Sequence, residues 1–431
     1  MSSMELPGGL APRSVRPIMA PSHHGATKLN RREVLRAGLL AGAQALVAPL
    51  LGLHPRRLLG EAVGDPLDLP GLGGGERLPS SQDRRGSSAL GDPRRAAVLA
   101  VSDRAAEIVH RTTVIDMLSL LTLDWPQLYS WQRQPQSFGK AELARLRASG
   151  IGVFHPAVDT NEPDPHAAAR RWMAGWNRLL DSHPETLLRI DSAADLERVK
   201  AADRIGLLLG FQNSSHFRTP EDVALFHALG QRVSQLTYNE RNRIGSGCTD
   251  PDAGGLSQFG ATIVAAMNRQ GMAIDISHCC ERTSLDALDA STKPVLITHS
   301  NCRALVHNPR CKSDAVIRAM AAKGGVIGIT VLPTMVSSAR AAALDDVLDH
   351  FDHVARLVGV EHVGLGSDTD VDAIDPRTRR VRSGYGVRGL RHEYRVFELA
   401  EGLLRRGYGP ADVAGVLGGN FQRALTEIWS V

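Results

Sequence analysis

The chain has few aromatic residues, only 4% of its 431 positions. Its basic residues are scattered and carry no interleaved aromatics. That excludes the stacking and phosphate-binding surface of a nucleic-acid-binding protein. Charge adds nothing in that direction. Fifty basic residues stand against 46 acidic ones, and much of the visible excess sits early, at Arg31, Arg32, Arg56, Arg57, Arg84 and Arg85. Cysteine is scarce too. Cys248, Cys279, Cys280, Cys302 and Cys311 match no zinc ribbon, and their odd number fits no closed disulfide framework. Cys279-Cys280 reads as a pair of small residues opening a helix. No repeat, coiled coil or large apolar stripe supports a pure interaction protein. Long hydrophobic runs are also missing. The apolar stretch at residues 37–53 is Gly- and Ala-rich and broken by Pro49, which argues against a membrane anchor.

That stretch follows a twin-arginine pattern, Asn30-Arg31-Arg32-Glu33-Val34-Leu35-Arg36. Basic, then apolar, then small residues resemble a Tat-type export signal. Residues 1–53 are therefore expected to address the chain to the Tat machinery and out of the cytoplasm, to the periplasm. Residues 54–95 are rich in Gly, Pro, Arg and Ser, with Pro70-Gly71-Leu72-Gly73-Gly74-Gly75 at their centre, and read as a disordered linker. Residues 96–431 remain as a single catalytic domain.

Within it, two apolar β-branched runs end in histidine. One is Met272-Ala273-Ile274-Asp275-Ile276-Ser277-His278 and the other Pro294-Val295-Leu296-Ile297-Thr298-His299-Ser300. Both read as buried parallel strands. Six further strands are expected at residues 112–116, 151–155, 205–211, 232–237, 325–330 and 362–368. Helical spacing appears at residues 140–148, 166–182, 221–228, 258–269, 281–291, 313–323 and 345–357. Eight alternating strand–helix units predict an α/β fold, a (β/α)8 TIM barrel. A doubly wound open sheet is the alternative. It usually carries a Gly-rich phosphate loop after its first strand, and none is present.

On a barrel, the polar residues at strand C-termini converge on one pocket. Here they are Asp116, His155, Gln212-Asn213, Tyr238-Asn239, His278, His299 and Asp368. Any one histidine alone reads equally well as a hydrogen-bonded core residue. His278, His299 and Asp368 together supply the donor types of a mononuclear zinc site.

At this point residues 113–425 resemble the membrane (renal) dipeptidases, peptidase family M19 of the amidohydrolase superfamily. The matching stretches are residues 255–260, 267–278, 293–305, 309–310, 324–328, 364–368 and 419–421. The resemblance implies a zinc-dependent barrel, usually a homodimer, that hydrolyses dipeptides. It implies that His278 and His299 hold one zinc and that Asp368 accepts the proton of the attacking water. It also implies that Arg310 binds the substrate carboxylate, which suits a bidentate guanidinium.

Other positions depart from the pattern. The family's first strand ends Asp-Gly-His-Asn-Asp, whose His and second Asp bind the other zinc. Here the stretch is Asp116-Met117-Leu118-Ser119-Leu120. The bridging glutamate is replaced by Gln212, which offers one neutral oxygen, and a substrate-facing histidine by Tyr238. Leucine cannot ligate a metal, so one Zn²⁺ on His278 and His299 is expected, with Asp368 or Gln212 as further ligand. Asp124 is a candidate to return a carboxylate to the pocket, and His155 either supplies a nitrogen or lines its wall. Two functions stay open. One is a metallohydrolase of dipeptides or similar small amides, with Tyr238 donating to the developing oxyanion. The other is a repurposed or catalytically weak relative that binds a peptide-like or natural-product carboxylate.

Overall fold

The computed structural model describes residues 101–430, apart from 161 and 339–340. The export-signal and linker expectations lie outside these residues.

Ten parallel strands form one sheet. They are β1 (Ile115–Asp116), β2 (Val153–Phe154), β3 (Leu187–Arg189), β4 (Ile205–Leu207), β5 (Gly210–Phe211), β6 (Val233–Gln235), β7 (Ala273–Asp275), β8 (Val295–Ser300), β9 (Ile327–Ile329) and β10 (Val363–Leu365). Their order is β3-β4-β2-β1-β10-β9-β8-β7-β6-β5. β4 and β5 sit at or near opposite ends of that order, yet only two residues separate them in the chain. The run 205–211 is therefore one barrel strand in two pieces. β4 pairs with β2, and β5 pairs with β6. The eight expected strands thus close into a (β/α)8 barrel, and β3 is an extra strand on the outside, paired only to β4.

The helices follow from ordinary end signals. Gln258–Gln270 starts on Ser257, whose side chain accepts from the Gly260 N–H, and stops at Gly271 with φ 66°. That left-handed value favours glycine at a helix end. Pro165–Ser182 starts on Asp164, and Glu281–Ala290 starts on Cys280, whose sulfur accepts from the Thr283 N–H. Cys279-Cys280 thus opens a helix, as its small size suggested, and all five cysteines are free thiols. Helices beyond the sequence expectation include Trp125–Arg133 and Ala193–Ala201. Asp124 caps the first of them through the Gln127 N–H at 3.2 Å. It is therefore a helix cap, and the expectation of a returned carboxylate ligand is corrected.

Inside the barrel the strands are buried on both faces, with Ile115, Val153, Val233, Ala273, Leu296 and Val326 in one cluster. Close approach at the C-terminal ends requires glycine. A Cβ on Gly366 would stand 1.8 Å from the Thr298 carbonyl oxygen and 3.2 Å from the His299 Cα. Gly366 thereby lets β10 press against the strand that carries His299.

Candidate metal centre

His278 and His299 meet in the barrel interior, both buried, with their Nε2 atoms 3.0 Å apart. Their outer nitrogens are fixed. Nδ1 of His278 lies 2.7 Å from the Asn239 Oδ1, an acceptor. Nδ1 of His299 lies 2.8 Å from the Thr298 hydroxyl oxygen. That hydroxyl spends its proton on the Asp275 Oδ2 at 2.7 Å, so it accepts from the imidazole. Both rings therefore carry their proton on Nδ1, and two bare Nε2 lone pairs face each other. Burial, then the charge of Arg310, holds both imidazoles well below their usual pKa, so neither gains a second proton near neutrality. Two facing lone pairs repel unless a cation lies against both. Orienting partners behind the ligands are what metal-binding histidines ordinarily have.

The other strand-end residues surround this pair. Tyr238 stacks on His278, with centroids 4.2 Å apart at 18°. Burial, then Asp368, raises its hydroxyl above the usual tyrosine range, so it remains a proton donor. Arg310 is half-buried. Its Nη1 donates to the Ser277 carbonyl and its Nη2 to the His299 carbonyl at 3.2 Å. The guanidinium is thus aimed by the backbone of both histidine strands. Asp368 sits in the left-handed region at φ 60°, with its N–H on the Leu118 carbonyl at 2.8 Å. Such strain is tolerated by aspartate and is common at functional strand ends. Burial pushes its carboxyl up to about 6, against the pull of Arg310. His155 donates from Nδ1 to the Leu208 carbonyl at 2.6 Å, and burial lowers its pKa, so the ring stays neutral. Gly210 leaves room for that ring, since a Cβ there would meet it at 2.4 Å. Gln212 turns its amide to the Ala157 carbonyl at 3.1 Å.

The first-strand end is organised differently. Leu118 and Leu120 are buried. Asp116, beside them, forms a fully buried ion pair with Arg395, through Nε at 3.1 Å and Nη2 at 2.9 Å. Arg395 also donates to the carbonyls of Asp370, Val371 and His392 and to the Ser119 hydroxyl. A guanidinium thus ties the first strand, the loop after β10 and the helix Arg395–Arg405 together. Sequence reasoning missed this arginine, and nothing in its neighbours separates it from a surface arginine. Asn239 and Thr298 were legible as neighbours of Tyr238 and His299, though their orienting role was not. Asp159 was also missed. Its Oδ1 is buried without a hydrogen-bond partner among the described residues, and its charge reaches Tyr238.

The family model for membrane dipeptidase (peptidase family M19) matches residues 102–431. The chain belongs to the membrane dipeptidase family. It is 32% identical to Dipeptidase aclJ of Aspergillus oryzae over 308 residues, covering 68% of this chain and 70% of that protein. It is 28% identical to Dipeptidase 3 of Rattus norvegicus, covering 68% of this chain and 59% of that one. Among solved structures it resembles an amidohydrolase from Pseudomonas aeruginosa. That match has TM-score 0.65 and 28% identity over 76% of this chain and 99% of the other. A metallo peptidase from Rhodobacter sphaeroides, liganded with a phosphinate mimic of L-Ala-D-Ala, shares the fold at TM-score 0.62 and 19% identity. Family membership supports a metal-dependent dipeptide hydrolase. The zinc such an enzyme implies can be tested against the side chains. Two nitrogens on one tetrahedral zinc stand roughly 3.3 Å apart, close to the 3.0 Å found here. His278 and His299 therefore fit one ion. Among the described residues, no three His, Cys, Asp or Glu side chains converge on a single point. The two imidazole nitrogens would hold that ion, and the leucine side chains at 118 and 120 carry no donor atom for another.

Proposed function

We propose that this membrane dipeptidase family member is a one-metal hydrolase of dipeptides or similar small amides. The observation that carries this reading is the pair of bare Nε2 atoms on His278 and His299, each fixed by a partner on Nδ1. A zinc ion held there would polarise an amide carbonyl and acidify water. The chain's residues do the rest. Arg310 keeps N–H groups free beside its backbone anchors to grip a carboxylate. Asp368, with its pKa about 6, is poised to take a proton near neutrality. Tyr238 stays protonated and is placed to donate to the oxygen on which charge develops. His155 and Gln212 shape the wall.

The test is metal analysis paired with dipeptide turnover. We expect about one zinc per chain, lost in His278→Ala while the circular dichroism spectrum is kept. Absence of zinc together with absence of turnover refutes the reading. The buried leucines at 118 and 120 support a second one, a repurposed barrel that binds a peptide-like carboxylate through Arg310. It predicts binding without turnover in zinc-loaded protein. We further propose export through the Tat route, supported by Arg31-Arg32 ahead of the apolar stretch. Retention of an Arg31→Lys, Arg32→Lys variant inside the cell is the expected result.

A further inference from the structure

A cavity of about 770 Å³ opens between the loop after β1 and a hairpin that follows β10. Leu123 and Trp125 form one wall. Arg380, Val381, Arg382 and Tyr385 form much of the other. The two walls are tied together. Arg145 spans them, donating to the Asp372 carboxylate at 2.8 Å and to the Leu121 carbonyl at 2.7 Å. The Leu123 N–H donates to Asp370 at 2.7 Å. The hairpin has its own frame, an antiparallel bridge between Ile374 and Val381 and the Arg382 N–H on the Ala373 carbonyl at 2.7 Å. Its far side is pinned by Arg388, whose backbone bonds to Ala342 and Leu344.

The cavity adjoins the metal centre through Tyr385. That ring lines the cavity and packs against the cluster of Val306, Cys311, Leu332 and Met335, which takes in both sides of the Arg310 loop. Asp368 lies near enough for its charge to act on the Tyr385 hydroxyl. Around the barrel, the cavity stands over the β1 and β10 ends, and Arg310 follows β8. A substrate gripped by Arg310 with its amide at Asp368 therefore extends its acyl side toward this space.

The lining sets what fits. Trp125 presents an indole that is backed by Tyr129, with centroids 6.2 Å apart. Leu123 and Val381 add aliphatic surface. Arg382 has a buried Nε without a hydrogen-bond partner among the described residues. Asp375, also at the cavity, already accepts the Arg377 and Thr378 N–H groups at 2.9 Å each. Two arginines thus face one carboxylate that is already engaged. We propose that this cavity is the acyl-side subsite and selects a bulky aromatic residue carrying an anionic group. The inference rests on the hydrolase reading for the direction in which the substrate lies.

Three peptides test it: glycyl-alanine, phenylalanyl-alanine and 4-carboxyphenylalanyl-alanine. Binding is measured by calorimetry on zinc-loaded Asp368→Asn protein, and turnover on the unsubstituted enzyme. Affinity should rise about tenfold from glycyl to phenylalanyl and about threefold or more again with the added carboxylate. Trp125→Ala should shrink the first step about fivefold. Arg382→Gln, on the hairpin, should remove the second step and serves if the tryptophan variant fails to fold. Equal affinities for all three peptides, or no binding, would overturn the subsite. Graded affinity with no turnover of any peptide keeps the subsite and overturns the hydrolase reading instead.

Discussion

Replacing Arg395 by methionine is the most severe single test of how this barrel manages without the family's first metal position. The side chain is fully buried, and so is its partner Asp116. Methionine keeps much of the volume and removes six donor contacts. Two go to the Asp116 Oδ2, three to the carbonyls of Asp370, Val371 and His392, and one to the Ser119 hydroxyl. Asp116 keeps the Ser367 N–H on its other oxygen at 2.8 Å. It is left as a buried carboxylate with no cation. Breaking a buried pair from one side costs about 3–5 kcal/mol, since the remaining charge is uncompensated. For a barrel of roughly 330 residues the unfolding entropy is about 0.7 kcal/mol/K, so the midpoint should fall by about 4–7 °C. Thermal unfolding followed by circular dichroism reads this directly. Adding Asp116→Asn to Arg395→Met should recover about 1–2 kcal/mol, because the orphaned charge is then gone. In protein whose His278–His299 site is already loaded, further zinc should recover nothing, as Leu118 and Leu120 offer it no donors. A midpoint within 1 °C of the parent refutes the argument, as does a double variant no more stable than Arg395→Met.

Three further outcomes follow from the same geometry. Gly366→Ala should cost more than about 3 kcal/mol and lower zinc occupancy, because its Cβ would strike the Thr298 carbonyl beside His299; an unchanged midpoint and zinc content would count against it. Asp368 has its carboxyl pushed up to about 6 by burial. On the hydrolase reading it accepts the proton, so kcat/KM should fall as pH drops through its pKa in the zinc-loaded enzyme, and its raised pKa makes metal-free protein lose stability as pH rises from about 4 to 6. Asp368→Asn should therefore stabilise metal-free protein at pH 7 by on the order of 1–2 kcal/mol, as read by denaturant unfolding. Lys312 is a buried ammonium that donates to the Cys279 carbonyl at 2.7 Å, and its charge bears on both histidines. Lys312→Met should tighten zinc binding roughly three- to tenfold in a chelator competition; weaker binding would show that its packing role dominates.

Much of this fold was legible because its strands obey a simple rule. Runs buried on both faces, such as 294–300, leave little choice but a parallel strand between helices. Helical spacing alone marked the observed limits of Lys140–Ala148 and Glu221–Ala228. β3 escaped because three residues on an outer edge carry too little pattern. Trp125–Arg133 escaped although its signal was present, an Asp124 cap with proline in the first turn. The site divides along the same line. A histidine at a strand exit announces itself by position. What Arg395 does depends on a partner 279 residues away, and no local spacing reports that. Asp159 is hidden for a related reason. It lies past the end of β2, on a segment that continues beside β5 through the Val158–Phe211 bridge.

Charge gives the strongest reason to see the departures from the family pattern as one coherent change. Losing a zinc ligand while keeping the ion would leave a dication underheld, and losing the ion while keeping its carboxylates would leave buried negative charge. On the one-metal reading neither occurs. The resemblance implies an aspartate and a glutamate at positions now held by Leu120 and Gln212, which removes two negative charges together with one dication. Asp116, the one carboxylate left at the first strand end, is neutralised by Arg395 at 2.9 Å. Random decay has no reason to balance charge in this way. The balance predicts that restoring histidine at 118 and aspartate at 120 will not recruit a second zinc by itself. Gln212 still lacks the bridging charge, so Gln212→Glu is needed as the third change. Zinc per chain should stay near one in the double variant and rise only in the triple. Two zincs in the double variant would show that charge was not what held the arrangement in place.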